Sequence, residues 1–206
     1  MISNQPLFEI CEYESENSCV FFRAQDPYGF CQNMNNRFPV EVNGIAIRNT
    51  EALYQSCRYP HLEEAQRRII EQRSGMFSKR VSKGYRRAGH TRKDWDDIQV
   101  DVMRWVLRVK LAQNFETFGE LLASTGTRPI VEQSHKDSFY GALVVEGSST
   151  LVGCNVLGKL LMQLRDEYLN GCSESRQGMR YVPPMEISDF LLFGEPIRAI
   201  GQALVV

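Results

Sequence analysis

The chain has 206 residues, 43% of them hydrophobic and 24% charged, with a formal net charge of −1. This is enough apolar material for one well-buried domain and excludes a disordered polyampholyte. No apolar run approaches the ~20 residues needed to cross a bilayer, so no membrane partner is expected.

The start, MISNQPLFEI, lacks a basic region followed by an apolar stretch, so no signal peptide is expected and the chain reads as cytoplasmic. Residues 1–20 are acidic. CVFFRA reads as a strand and QDPYGFCQNMNN as a loop of turn formers. FPVEVNGIAI alternates apolar and polar residues around Asn43-Gly44, a hairpin signal. Thr50 is the expected N-cap of a helix through about Arg58, followed by a short amphipathic helix in EEAQRRIIEQR. A basic stretch follows, partly helical and punctuated by Gly75, Gly84 and Gly89.

The strongest helical pattern runs from Asp94, read as its cap, to about Gln113, with Ile98, Val102, Trp105, Val106 and Val109 at helical spacing. A further helix is predicted over Phe115 to Ala123, then short strands in PIVE and FYGALVV. Asn155 is the expected cap of a last helix with Leu157, Leu160, Leu161 and Leu164 as its apolar stripe, ending at Gly171. Residues 172–206 read as a polar, proline-containing linker and an apolar tail docked on the domain of residues 1–171. The sum is an α+β single domain, mainly helical, with a small sheet.

The net charge hides an asymmetry. Arg67 to Lys93 holds ten Lys or Arg and one acid, Glu71, a net of +9, so the remainder carries −10. Such a run is either a solvated surface or a face for a polyanion. Interleaved with Phe77 and Tyr85, it suits phosphate contact through Arg67, Arg68, Arg73, Lys79, Arg80, Lys83, Arg86 and Arg87. The six cysteines form no CxxC pair and read as reduced packing residues, and the three histidines lie far apart. No metal site is expected.

Other signals carry two readings each. Glu51 in EALYQSCRYP is an acid in a first helical turn, where it meets the helix dipole, or a placed carboxylate. Asp137 in VEQSHKDSFYG is a solvated turn acid, or a proton donor or base beside Phe139 and Tyr140. Trp95 is a core anchor or a stacking platform. The start of the helix in GCNVLGKLLMQLR is plainly capped, or offers free N–H groups to a phosphate or hydroxyl.

Taken in order, GFCQNM…FPVEVNGIAIRNTEALYQSCRYP, RKDWDDIQVDVMRWVLRVKLAQN, LLASTGTRPIVEQSHKDSFYG and GCNVLGKLLMQLR resemble the NADAR (YbiA-like) family over about Phe21 to Leu169. IRNTEALYQ, MRWVLRVKLAQN and the DFLLFGEPI tail are similar to the NADAR antitoxins paired with DarT-type DNA ADP-ribosyltransferase toxins. The resemblance implies a YbiA-like fold and an N-glycosidase that cleaves a bond between ribose and nitrogen, without metal or redox cofactor. For the DarT-linked branch the substrate is DNA with ADP-ribose on the guanine amino group, the product is ADP-ribose, and a cognate DarT-type toxin is the implied partner. For the YbiA branch it is a phosphoribosylamino intermediate of riboflavin synthesis. A non-catalytic module binding ADP-ribose or NAD, and a toxin-neutralising interaction protein, are the rival readings.

By the resemblance, Glu51 takes the place of the family acid in its SEH/SEA block, Trp95 the tryptophan of DW, and Asp137 the aspartate of DxFWG. Asn33, Gln55, Lys110, Thr125, Gly126, Glu132, Gly153, Asn155, Gly158 and Arg165 match family positions. The implied roles are electrostatic and water-orienting for Glu51 and proton transfer for Asp137, or the reverse. Trp95 and Tyr140 are implied to stack on the base or sugar, and Gln55, Asn33 and Asn155 to bind hydroxyls. Arg23 is expected to meet the diphosphate, and Lys83, Arg86 and Arg87 the DNA backbone. The chain departs from the family at Gln32, where serine is usual, at Tyr140 for tryptophan, and at Arg23, where lysine is common. A guanidinium stays protonated, so Arg23 cannot form a Schiff base.

Overall fold

Two strands that the sequence pattern does not reveal complete the main sheet. The computed structural model describes residues 6–202. Its elements run β1 (Cys11–Glu14), β2 (Cys19–Phe21), β3 (Val40–Val42), β4 (Ile45–Ile47), α1 (Thr50–Ser56), α2 (Glu63–Ile70), α3 (Gly75–Arg87), α4 (Trp95–Gln113), α5 (Phe115–Ala123), β5 (Ile130–Ser134), β6 (Ala142–Val144), β7 (Thr150–Gly153), α6 (Val156–Asn170), α7 (Ser173–Gly178), β8 (Leu191–Leu192) and β9 (Glu195–Pro196). The class is α+β with more helix than strand, as expected. The chain forms two compact units: residues up to Gln32 with Glu116–Ser173, and Asn33–Phe115 with the described residues from Glu174 onward.

The first unit is built on a five-stranded sheet in the order β1-β7-β6-β5-β2. β2 pairs with β5 and β5 with β6 in parallel, while the other pairs are antiparallel. One sheet face buries Tyr13, Val131, Ala142 and Leu151 together. α6 packs on β5, and the close approach depends on Gly158: a Cβ there would lie 2.0 Å from the Ile130 carbonyl oxygen. Gly119 likewise lets α5 meet Tyr168 of α6.

The second unit is mostly helical. β3 and β4 form the expected hairpin, with Asn43 at φ 54° and Gly44 at φ 78°, the positive values that an Asn-Gly turn supplies. α1 packs against α2, α3 and α4. α3 turns its small residues, Gly75, Ser78 and Ser82, inward. Trp105 of α4 donates its indole N–H to the Pro183 carbonyl at 2.9 Å and meets the Phe190 ring at 4.9 Å. The tail hairpin β8–β9 is tied to α2 by Gln66, which donates to Leu191 O and accepts from the Phe193 N–H. Residues 203–206 of the tail lie outside the described residues.

Several expected boundaries change for identifiable reasons. Asn49, not Thr50, caps α1: its backbone is extended and its side-chain oxygen accepts from the Ala52 N–H at 3.0 Å, and α1 ends at Ser56 rather than Arg58. Asp94 holds the N-cap position of α4, but its carboxylate is bonded to Arg92 at 2.6 and 2.8 Å rather than to a helix N–H. Asn155, at φ 50°, precedes α6 without capping it through its side chain. Gly84 lies inside α3 rather than breaking it. α6 is not the last helix, since α7 forms within the expected linker.

Candidate functional site

In the second unit the residues around Glu51 form a chain of hydrogen bonds. Glu51 lies in the first turn of α1 and is 6% exposed. Its Oε1 accepts from Gln55 Nε2 at 2.9 Å, one turn further on. Gln55 Oε1 accepts the Ser82 hydroxyl at 2.5 Å, and Tyr59 donates to Ser82 O at 2.6 Å. The second oxygen of Glu51 makes no hydrogen bond among the described residues. Below it, Asn33 O accepts from the Glu51 N–H at 3.0 Å, and Asn33 Oδ1 accepts the Thr50 hydroxyl at 3.0 Å. The small-residue face of α3, visible as Ser78 and Ser82 at helical spacing, is the signal that would have found Ser82.

Trp95 and Lys110 are placed differently from expectation. Trp95 is only 2% exposed, with Arg58 over its face at 4.2 Å and Tyr54 beside it at 5.3 Å. It therefore offers no open face for a base, and its placement is that of a core anchor. Lys110 is fully buried, with Nζ 5.2 Å from the centre of the Phe38 ring.

The basic run resolves into two parts. Arg67 and Arg68 pair with Glu63 and Glu64 along α2 at 3.5 and 3.6 Å and stay more than half exposed. Lys79, Arg80, Lys83, Arg86 and Arg87 are all exposed on α3, and among the described residues none has an acidic partner. At 100° per residue they fall within an arc of about 120°, and Ser78 and Ser82 lie outside it.

In the first unit Asp137 is held by a tight turn. Its Oδ1 accepts from the Phe139 N–H at 3.0 Å and the Tyr140 N–H at 2.9 Å. Its own N–H donates to Ser134 Oγ at 3.0 Å, and its Oδ2 has no hydrogen-bond partner among the described residues. The same turn satisfies the start of α6. Ser138 O, Gly141 O, Phe139 O and Tyr140 O accept from the N–H groups of Cys154, Asn155, Val156 and Leu157 in turn, at 2.7 to 3.1 Å. The helix start is thus occupied by protein carbonyls and does not present these N–H groups to a phosphate.

Asn155, Thr125 and Gly158 serve the scaffold rather than an open pocket. Asn155 is fully buried, donates to Ile130 O at 2.8 Å and accepts from the Glu132 N–H at 3.1 Å. Thr125 is fully buried, donates to Leu122 O at 2.7 Å and accepts from Arg165 Nη1 at 3.1 Å. Gly126, at φ 62°, turns the chain after α5, and Gly153 sits 2.4 Å (as a notional Cβ) from Gly141 O. Glu132 is half-buried on β5 and Tyr140 half-buried in the Asp137 turn, its ring 5.0 Å from Phe139.

Arg23 is exposed at the end of β2, its guanidinium 5.8 Å from the Phe22 ring. Phe22 meets the edge of His135 at 4.8 Å, which sets Arg23 beside the loop that leads to Asp137. The N–H groups of Arg23 and then Phe22 hold the Asp26 carboxyl below the ordinary aspartate value. Gln32, in the family's serine position, donates to Phe22 O and braces the same segment. No group of three or more His, Cys, Asp or Glu suited to a metal ion occurs among the described residues.

A family model described as NADAR domain matches residues 20–169. The chain is 32% identical over 148 residues to the N-glycosidase YbiA of Escherichia coli, covering 71% of this chain and 86% of that protein. It is 27% identical to an N-glycosidase of Nostoc punctiforme, covering 73% of this chain and 92% of the other. A riboflavin biosynthesis protein of Vibrio vulnificus is 32% identical over 154 residues, and there the match spans 74% of this chain but only 39% of the relative. The NMR structure of E. coli YbiA aligns with a TM-score of 0.59 at 26% identity, covering 79% of this chain and 92% of that one.

Proposed function

The chain belongs to the NADAR domain family, and from that premise we propose that it is an N-glycosidase that removes ADP-ribose from the guanine base of DNA. The glycosidase part is supported by relatives named N-glycosidase. The DNA part is carried by one observation: five exposed cations share one face of α3 without an acidic partner among the described residues. A small phosphorylated substrate needs one or two cations, whereas a nucleic-acid backbone uses a stripe of them.

In the proposed reaction the bond between the ribose anomeric carbon and the guanine amino nitrogen breaks. Its electron pair goes to the nitrogen, which takes a proton, and a water oxygen bonds to the anomeric carbon as that water loses a proton. The products are ADP-ribose and unmodified guanine. Positive charge builds on the sugar, and a fixed carboxylate beside it lowers the barrier. The proposal gives this role to Glu51, held by Gln55, and gives proton transfer to the Oδ2 of Asp137. Arg23 meets the diphosphate and α3 the strand. The biological role that follows is reversal of a DarT-type toxin's modification, as a cytoplasmic antitoxin that needs no cofactor.

A second reading is favoured by the names of the riboflavin biosynthesis relatives: hydrolysis of a phosphoribosylamino pyrimidine. Incubation with an oligonucleotide carrying ADP-ribosylguanine, with chromatography for free ADP-ribose, separates the two. Release supports the first. No release, together with turnover of the phosphoribosylamino pyrimidine, replaces it with the second.

A further inference from the structure

Residues 6–10 precede the part of the chain that matches the family, yet the structure fastens them beside Asp137. The fastening is specific. Lys159, in the first turn of α6 and 3% exposed, donates from Nζ to Pro6 O at 2.9 Å and Glu9 O at 2.7 Å. No carboxylate pairs with this buried ammonium among the described residues; two backbone carbonyls take it instead. Between them, Phe8 O accepts from the Cys154 thiol at 3.3 Å. α6 therefore anchors two segments at its start: the Asp137 turn through its first N–H groups, and residues 6–9 through Lys159.

The result is an aromatic row that includes the two residues whose N–H groups hold the acid. Phe8 stacks on Phe139 at 6.0 Å with an 11° angle between planes, and Phe139 meets Tyr140 edge-on at 5.0 Å. Phe139 and Tyr140 supply the two N–H groups on Asp137 Oδ1. Phe8 is nevertheless 60% exposed. Its ring is thus largely open to solvent although the backbone on either side is held by Lys159 and Cys154. An exposed aromatic ring held in this way is a surface on which a flat base can stack.

We propose that Phe8 is a nucleobase-binding residue, extending the Phe139–Tyr140 row, and that Lys159 is the positioning residue that holds it there. This rests on the reading of the substrate as a nucleic acid bearing ADP-ribose. Two nucleobases qualify: one in the DNA strand, and the adenine of ADP-ribose. Stacking of this kind operates before chemistry, so its loss raises KM and leaves kcat in place.

The test measures kcat and KM on the modified oligonucleotide, and Kd for ADP-ribose by calorimetry, for wild type, Phe8→Ala and Phe8→Trp. Phe8→Ala is expected to raise KM or Kd about 5- to 100-fold, with kcat within two-fold, and Phe8→Trp to restore it. A rise in KM alone assigns the base to the DNA strand; a rise in both assigns it to adenine. Lys159→Met is expected to reproduce the Phe8→Ala change, and the double variant to add nothing to it. A Phe8→Ala enzyme with wild-type KM and Kd overturns the proposal. Since Phe8 is exposed, that result cannot be attributed to misfolding. Absence of any wild-type release from the oligonucleotide is a different outcome: it removes the substrate reading, and ADP-ribose affinity then decides whether the stacking site itself stands.

Discussion

Gln55 donates its amide N–H to Glu51 at 2.9 Å while its carbonyl oxygen takes the Ser82 hydroxyl at 2.5 Å. The amide is thereby fixed in one orientation, with its donor toward the acid. A carboxylate held in this way costs little reorganisation when positive charge develops beside it. Glu51→Gln is expected to lower kcat on the order of 10²-fold or more. Gln55→Leu, which leaves the acid but frees it, is expected to fall in the same direction by less. Single-turnover release of ADP-ribose from modified DNA measures both. Wild-type rates in two folded variants would return Glu51 to the role of a first-turn acid beside the helix dipole.

Asp137→Asn keeps an oxygen for the N–H groups of Phe139 and Tyr140, so the turn is expected to persist. The variant lacks a group able to carry the proton. kcat is expected to drop by about 10²–10⁴-fold, the usual scale for general acid–base catalysis. Affinity for ADP-ribose is expected to stay within a few-fold, since a transition-state interaction leaves ground-state binding alone. An equal loss in both would make the acid a binding group.

Replacing Lys83, Arg86 and Arg87 by Gln removes three of the exposed cations of α3. The plot of log Kd against log salt is expected to flatten by roughly two to three in slope, at about 0.7–0.9 for each phosphate left without its cation. Fluorescence anisotropy with a labelled oligonucleotide at several salt concentrations reads it. Turnover of a minimal ADP-ribosyl-guanosine is expected to fall less than turnover of the DNA. An unchanged slope would assign α3 to solvent.

The depressed Asp26 carboxyl has a signed consequence. A group whose folded value lies below its unfolded one contributes stability above the ordinary aspartate range, about pH 4. That contribution is lost as pH falls through the folded value. Arg92 holds Asp94 below the ordinary value in the same way, through its side-chain hydrogen bonds. Thermal melts from pH 6 to pH 2 are expected to show a decline in the acid limb that is shallower in Asp26→Asn. An identical limb in the variant would show that the Arg23 and Phe22 N–H groups contribute nothing net.

Local chemistry made parts of this fold legible. Asn43-Gly44 announced its hairpin because few other pairs accept two positive φ values. Phe115 to Ala123 read as a helix because its apolar spacing and the break at STGTRP agree. β1 was hidden because CEYE buries only Tyr13, and an edge strand of four residues leaves little pattern. Its partner β7 lies some 140 residues away by sequence number, and no local rule sees such pairings. The cap of α1 could not be assigned from residue type, because Asn49 and Thr50 both qualify; the extended backbone at Asn49 decides it. At the candidate site, Asn155 and Thr125 look like binding residues by type, and only their filled hydrogen bonds reveal them as scaffold. Phe8 and Lys159 carried no motif at all, because a buried lysine that binds carbonyls has no sequence partner to betray it.

The shared hydrogen bonds between the Asp137 turn and the start of α6 also set a tempo. The backbone of the turn that carries the acid cannot move away without stripping acceptors from the amides of Val156 and Leu157, so the turn and the first helical winding are expected to open together. Deuterium uptake at those two amides is therefore a clock for the turn that carries the acid. Slow uptake means the backbone of the turn stays in place, and a ligand that grips the turn will slow that clock further without touching the helix.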